Sequence, residues 1–164
     1  MQILDQRQIE RKVRRLALQI LENNLDAKQL YIGGINRNGQ RFAQMIITEI
    51  HQQSSLRIEN FHISLSPAAP LSKGVVYDIE ADQLEGQNVL IIDDVANTGR
   101  TLFYACKPLM NVVPNKIEVA VLVDRKHKSF PVFADYVGLS LATTLMNDIR
   151  VRFEEGEEHV AYLL

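Results

Sequence analysis

The chain has 164 residues, enough for one domain with a sizeable core, and its 46% hydrophobic and 23% charged residues fit a folded globular protein. A net charge of -2 gives no bulk reason for nucleic-acid binding, although it leaves room for a local basic patch. The single cysteine, Cys106, excludes an internal disulfide and fits a reducing compartment.

With no internal repeat and no low-complexity linker, residues 1–164 are read as a single domain. Residues 5–23 place Ile9, Val13, Leu16, Ala17, Ile20 and Leu21 on one helical stripe. Arg7, Arg11, Lys12, Arg14 and Arg15 lie opposite, read first as a solvated face and second as a surface for RNA or an acidic partner. Leu30 to Ile32 is a short strand candidate that runs into a Gly-rich turn, residues 33–39. A helix with Phe42, Ala43, Ile46 and Ile50 follows. Strand, Gly-rich turn and helix make a first βα unit, although many such turns need glycine for shape only. Residues 56–65 form the next strand, through Ile58, Phe61, Ile63 and Leu65. Residues 66–74, with Pro67, Pro70 and Gly74, read as an exposed lid-like loop, and residues 75–79 as a short returning strand.

The stretch from Val89 to Leu102 is the most informative. Four aliphatics suit a strand buried on both faces, and Asp93 and Asp94 then fall at its carboxyl end, where open α/β sheets bind ligands. Gly99 lets the backbone approach a ligand closely, and the amides of Ala96, Asn97, Thr98, Gly99, Arg100 and Thr101 suit an anion such as phosphate. Two adjacent acids can accept hydrogen bonds from sugar hydroxyls. The segment therefore suits a sugar phosphate. The plain alternative, a buried strand ending in a solvated acidic turn, leaves the order acid-acid, turn, Thr-Gly, Thr unexplained.

Residues 99–112 should be helical, with Pro108 bending or shortening the helix and Cys106 packed in it. Residues 117–123 are another buried strand, Asp135 to Gly138 follow a loop, and residues 149–153 and 159–163 flank a turn at Glu154 to Glu157 as a hairpin. Alternating strands and helices predict an α/β fold with a mainly parallel twisted sheet. No apolar run is long enough to span a bilayer and the N-terminus lacks a signal-peptide pattern, so a cytoplasmic location is expected.

The segment from Val89 to Leu102 resembles, without a gap, the 5-phosphoribosyl-1-diphosphate (PRPP) motif of the type I phosphoribosyltransferases. That resemblance implies their fold, a parallel sheet flanked by helices with a small hood, here with a C-terminal hairpin. It assigns Asp93 and Asp94 to the ribose hydroxyls and the turn after them to the 5'-phosphate. It makes residues Asn36, Arg37, Asn38 and Gly39 the pyrophosphate loop, with Arg37 on the diphosphate. Some relatives read Thr-Arg-Gly where this chain reads Arg37-Asn38-Gly39, so the arginine is displaced by one residue.

A second resemblance covers Leu122 to Val132 and Ala134 to Gly138. These residues are similar to the Val-Asp-Arg, Leu-Pro-Ile and Asp-Tyr-Val-Gly elements of the bacterial pyrimidine-operon regulator/uracil phosphoribosyltransferases. The resemblance implies a base site in which Tyr136 stacks on the ring, Val137 meets its polar edge, and Asp124 and Arg125 complete the pocket. A packed strand-end aromatic is the alternative for Tyr136. His127 lies in a basic run, Arg125 to Lys128, read equally as a solvated loop or as the border of the base or diphosphate site. No second His or Cys stands at ligand spacing to it.

Two departures stand out. Asn97 occupies the position where hypoxanthine-guanine enzymes carry an Asp and the pyrimidine regulators usually an aromatic. Residues 66–74 lack the charged residues of the regulators' equivalent segment. The expected activity is transfer of phosphoribosyl from PRPP to a nucleobase, uracil favoured, with magnesium as cofactor near Asp93 and Asp94, largely through substrate and water. The expected partners are PRPP, a nucleobase or nucleoside monophosphate, and further copies of the chain in a homo-oligomer. The alternatives are an RNA-binding regulator that senses PRPP or a nucleotide, a purine-salvage enzyme, and a silent PRPP-binding domain.

Overall fold

The chain opens with a three-residue strand, β1 (Gln2–Leu4), too short for periodicity to announce. Asp5 then caps α1 (Gln6–Glu22). Its carboxylate accepts from the Gln8 amide at 2.8 Å, and the Gln8 side chain accepts from the Asp5 amide at 2.9 Å. Such a reciprocal cap contributes about 1 kcal/mol. The expected stripe of α1, from Ile9 to Ile20, is buried. The structure is a computed structural model that describes residues 1–142, 148–154 and 156–164.

The remaining elements are β2 (Gln29–Ile35), α2 (Asn36–Gln53), β3 (Arg57–Ser64), β4 (Val76–Tyr77), β5 (Asn88–Ala96), α3 (Arg100–Ala105), β6 (Lys116–Arg125), β7 (Tyr136–Leu141), β8 (Ile149–Arg152) and β9 (Val160–Leu163). Among the described residues, a six-stranded sheet runs in the order β4-β3-β2-β5-β6-β7. Every pairing in it is parallel except that of the short β4 with β3. Apolar residues cover both faces, as a parallel sheet requires. One face packs Ile32, Leu90, Ile92 and Leu122 against α1 and α2. The other packs Phe61, Ile63, Val89, Ile91 and Val121 with Leu102 and Ala105 of α3.

The second sheet joins both ends of the chain in the order β1-β9-β8, antiparallel throughout. This is the expected hairpin with the unexpected β1 added; of the turn expected at Glu154 to Glu157, Glu155 lies outside the described residues. The sheet rests on α2, where Phe153 stacks on Phe42 at 5.7 Å between ring centres and Arg41 donates to the Phe153 carbonyl.

Two boundaries differ from expectation. Gly33 and Gly34 are strand, not turn, because β2 continues to Ile35. Side chains there would meet the Phe61 ring and Gln40, so these glycines serve close packing. The helix expected over 99–112 ends at Ala105, and Pro108 sits at the start of a separate 3-10 turn, Lys107–Asn111. Proline lacks the donor that a continuing helix needs.

Candidate active site

A cavity of about 390 Å³ opens at the carboxyl ends of β2 and β5. Asp93 and Asp94 form one wall, the turn from Ala96 to Thr101 another, and Asn36, Arg37 and Asn38 a third, with Pro67 of the 66–74 connection reaching its edge. This is the carboxyl-end crevice where parallel sheets bind ligands.

Asp93 ends the aliphatic run of β5 and is only 7% exposed. Burial holds its carboxyl well above the ordinary carboxylate range, and the charge of Asp94 beside it adds to the rise. The Asp93 side chain accepts from the Asp94 amide at 2.9 Å. Asp94 is half-buried, and its two oxygens accept from the Val95 amide at 3.0 Å and from Asn38 Nδ2 at 2.8 Å. Ionised carboxylates have about four acceptor sites, so acceptor capacity remains on both acids.

The turn after the acids is shaped by Gly99, whose φ of 83° is left-handed. The turn is also held from outside. The Thr98 carbonyl accepts from the amides of Ser129 at 2.9 Å and Phe130 at 3.1 Å. Behind it the rings of Phe103, Tyr104 and Phe130 cluster at 5.5–6.0 Å. Arg125 donates to Asn97 Oδ1 at 2.8 Å, while Lys128 donates to the Asp124 carboxylate and to the Arg125 carbonyl. The 124–130 segment thus braces the turn from Ala96 to Thr101. Nothing local in the sequence signals that role, because it depends on β5 and β6 being neighbours, with Ala96 opposite Asp124.

The third wall departs from the expected pyrophosphate loop, because α2 starts at once after Ile35. Arg37 is exposed and lines the cavity. The Asn36 side chain is occupied elsewhere. Its Nδ2 donates to the Leu65 carbonyl at 3.0 Å and its Oδ1 accepts from the Leu65 amide at 3.1 Å. Asn38 Nδ2 is taken by Asp94 and, at 3.1 Å, by the Val151 carbonyl of β8. Gly39 is buried against β5 rather than facing a ligand, and a Cβ there would lie 2.6 Å from the Ile92 carbonyl oxygen.

The expected base residues separate into two groups. Asp124 and Arg125 stand beside Asn97 at the cavity's edge. Tyr136 and Val137 do not. Tyr136 is 2% exposed, and its hydroxyl donates to Glu118 at 2.6 Å and accepts from Asn23 at 3.0 Å. Tyr136 pairs with Ala120, four residues before Asp124, and its hydroxyl meets the still earlier Glu118. It is a core residue, not a stacking platform. The Val137 carbonyl accepts from Arg15 at 2.7 Å. Lys12 and Arg15 cap this edge of the sheet, both donating to Gly138, so part of the basic face of α1 is structural. His127 is exposed, and burial pushes the Cys106 thiol up to about 11, which suits a packed residue.

The described residues contain no group of three or more His, Cys, Asp or Glu side chains able to hold a metal. Two adjacent carboxylates are still a suitable partial shell for a magnesium ion that takes its other oxygens from substrate and water.

The phosphoribosyl transferase domain family matches residues 1–155. A Bifunctional protein PyrR of Staphylococcus aureus (strain bovine RF122 / ET3-1) is 35% identical, covering 99% of this chain and 97% of the relative. One of Haemophilus ducreyi is 34% identical over 98% and 95%. The chain belongs to the phosphoribosyltransferase family. It has the type I fold of that family and is a PRPP-dependent transferase. The fold recurs in a hypoxanthine-guanine phosphoribosyltransferase from Bacillus anthracis, at a TM-score of 0.72 and 21% identity over 85% of this chain and 81% of that one. It recurs in the Trypanosoma cruzi hypoxanthine enzyme bound to IMP, at a TM-score of 0.72 and 20% identity over 85% and 80%. No helix among the described residues is long and apolar enough to cross a membrane.

Proposed function

We propose that this phosphoribosyltransferase moves the 5-phosphoribosyl group of PRPP to uracil and releases pyrophosphate. The observation that carries the reading is the cavity shared by the buried Asp93, the half-buried Asp94 and the Gly99 turn, acids at one end and amides at the other. Asp93 and Asp94 accept the ribose hydroxyls, the amides of residues 96–101 take the 5'-phosphate, and Arg37 faces the diphosphate. Breaking the anomeric C–O bond creates an oxocarbenium-like transition state, so these groups act by positioning and charge stabilisation. Magnesium, held by the two acids and by substrate oxygens, would neutralise the departing diphosphate.

Uracil is favoured over a purine by two features. The Leu122 to Val132 segment is similar to that of the pyrimidine regulators, and Asn97 supplies no carboxylate to a purine ring. The base lies beside Asn97, Asp124 and Arg125 in this reading, without Tyr136. A regulator reading has its own support, because Arg7, Arg11 and Arg14 of α1 are exposed and the relatives are called bifunctional. The test is incubation with magnesium, PRPP and, separately, uracil, hypoxanthine, guanine, xanthine, adenine and orotate. Uridine monophosphate is the expected product. Preference for hypoxanthine or guanine overturns the base assignment, and no nucleotide from any base favours the sensing role.

A further inference from the structure

One side chain makes polar contacts to both sheets of the molecule at once. Asn38 sits in the first turn of α2 and carries a single donor nitrogen with two hydrogens. That nitrogen lies 2.8 Å from Asp94 Oδ2 and 3.1 Å from the carbonyl oxygen of Val151. Asp94 belongs to β5 of the main sheet, and Val151 to β8 of the small sheet. Both hydrogens of the amide are therefore committed, one to the acid and one to the small sheet.

The two contacts differ in kind. The bond to Asp94 ends on a charged acceptor and is the stronger, so it sets the rotamer of Asn38. The bond to Val151 is neutral and depends on that rotamer. Asp94 is oriented in turn by two donors, the Val95 amide on one oxygen and Asn38 on the other, so Asn38 supplies half of what sets the facing of the carboxylate. We propose that Asn38 is a positioning residue that couples occupancy of Asp94 to the attachment of the β1-β9-β8 sheet. The ligand half of this statement rests on the reading of Asp94 as a PRPP hydroxyl acceptor.

The coupling is reciprocal by linkage. A ligand that draws on the charge of Asp94 alters the hold of Asn38 on Val151, and a loosened small sheet alters the hold of Asn38 on Asp94 by the same factor. The small sheet keeps its other anchors when Asn38 is changed, namely the Phe42–Phe153 stack and the Arg41 bond to the Phe153 carbonyl. Loss of Asn38 should therefore loosen the sheet rather than unfold the protein.

The experiment is amide hydrogen exchange over β8 and β9 in the full chain, first without ligand, for the wild type, Asn38→Ala, Asp94→Asn and the double variant. Asn38→Ala should speed exchange in β8 about tenfold, the scale of one lost hydrogen bond. Asp94→Asn should speed it too, and should add nothing in the Asn38→Ala background. Asn38→Ser, which keeps one donor, should fall between, and it replaces Asn38→Ala if circular dichroism finds that variant unfolded. Additive effects of the two substitutions, or no effect of Asp94→Asn on β8, overturn the coupling. PRPP with magnesium is then added. A change of β8 exchange in the wild type that disappears in Asn38→Ala supports the proposal, and a change that persists there overturns it. If calorimetry finds no PRPP binding to the wild type, the functional reading fails instead, and the ligand-free cycle decides the coupling alone.

Discussion

Gly39→Ala is a one-carbon change that tests whether the contact between α2 and β5 positions the acids. The new Cβ would stand 2.6 Å from the Ile92 carbonyl oxygen and 3.3 Å from Asp93 Cα, where ordinary contact begins at 3.4 Å. The obstacle is backbone of a central strand, so α2 must yield by about 0.8 Å. Overpacking of this kind costs about 1–3 kcal/mol, which in a chain of this size lowers Tm by about 2–12 °C. The same shift carries the adjacent Asn38. Its 2.8 Å bond to Asp94 would lengthen beyond hydrogen-bond range. Gly39→Ala should therefore weaken PRPP binding although residue 39 does not line the cavity. Differential scanning calorimetry and a PRPP titration read the two effects. An unchanged Tm would refute the packing argument. A lowered Tm with wild-type PRPP affinity would refute the link from packing to the acids.

Three further outcomes follow from the same geometry. Asp93→Asn should raise thermal stability at neutral pH, because it removes the cost of burying an ionisable carboxyl, and should sharply weaken PRPP binding; a destabilised variant with normal affinity would contradict both halves. The pH dependence has a definite sign. The folded-state pKa of Asp93 is raised above its ordinary value, so its contribution favours the folded state below the ordinary carboxylate range and is lost as pH rises through the raised value. Stability of the wild type minus that of Asp93→Asn, from denaturant titrations across this window, should thus fall with rising pH, and PRPP–magnesium affinity should rise. Tyr136→Phe should cost about 1–2 kcal/mol through its lost hydroxyl bonds to Glu118 and Asn23, and should leave the Michaelis constants for PRPP and base unchanged; a selective rise for the base would return Tyr136 to the base site.

What was legible in the sequence was whatever is local and periodic. The stripe of α1, the aliphatic run of β5 and the Pro108 interruption each follow from spacing or from a missing donor, and each is where expected. The wall formed by Asp93, Asp94 and residues 96–101 was legible because one contiguous segment builds it. The errors fall where meaning depends on a partner distant in sequence. Gly33 and Gly34 read as a turn, because nothing local reveals that Phe61 and Gln40 need their space. Tyr136 read as a ligand residue, although Asn23 and Glu118 claim its hydroxyl at the other end of the sheet. Strand β1 was invisible because its partner, β9, lies at the far end of the chain.

Those distant contacts fall in a chain of mechanical dependence. The Met1 ammonium group donates to the Leu163 carbonyl at 2.7 Å, and β1 pairs with β9, so the two ends of the chain complete one small sheet. That sheet reaches the main sheet's acids through α2, by way of Asn38, Arg41 and Phe42. On the opposite side, β6 reaches the turn from Ala96 to Thr101 through Arg125 and Asn97, and the segment after it through the Thr98 carbonyl. The acids are thus steered from one side and the Gly99 turn from the other. A substrate that spans both must satisfy two separately braced walls at once. Exchange of Asn97 for another residue should disturb the second brace without touching the first, and Asn38 the reverse. If the cavity binds PRPP as proposed, the two positions therefore separate ribose recognition from phosphate recognition in a single cavity.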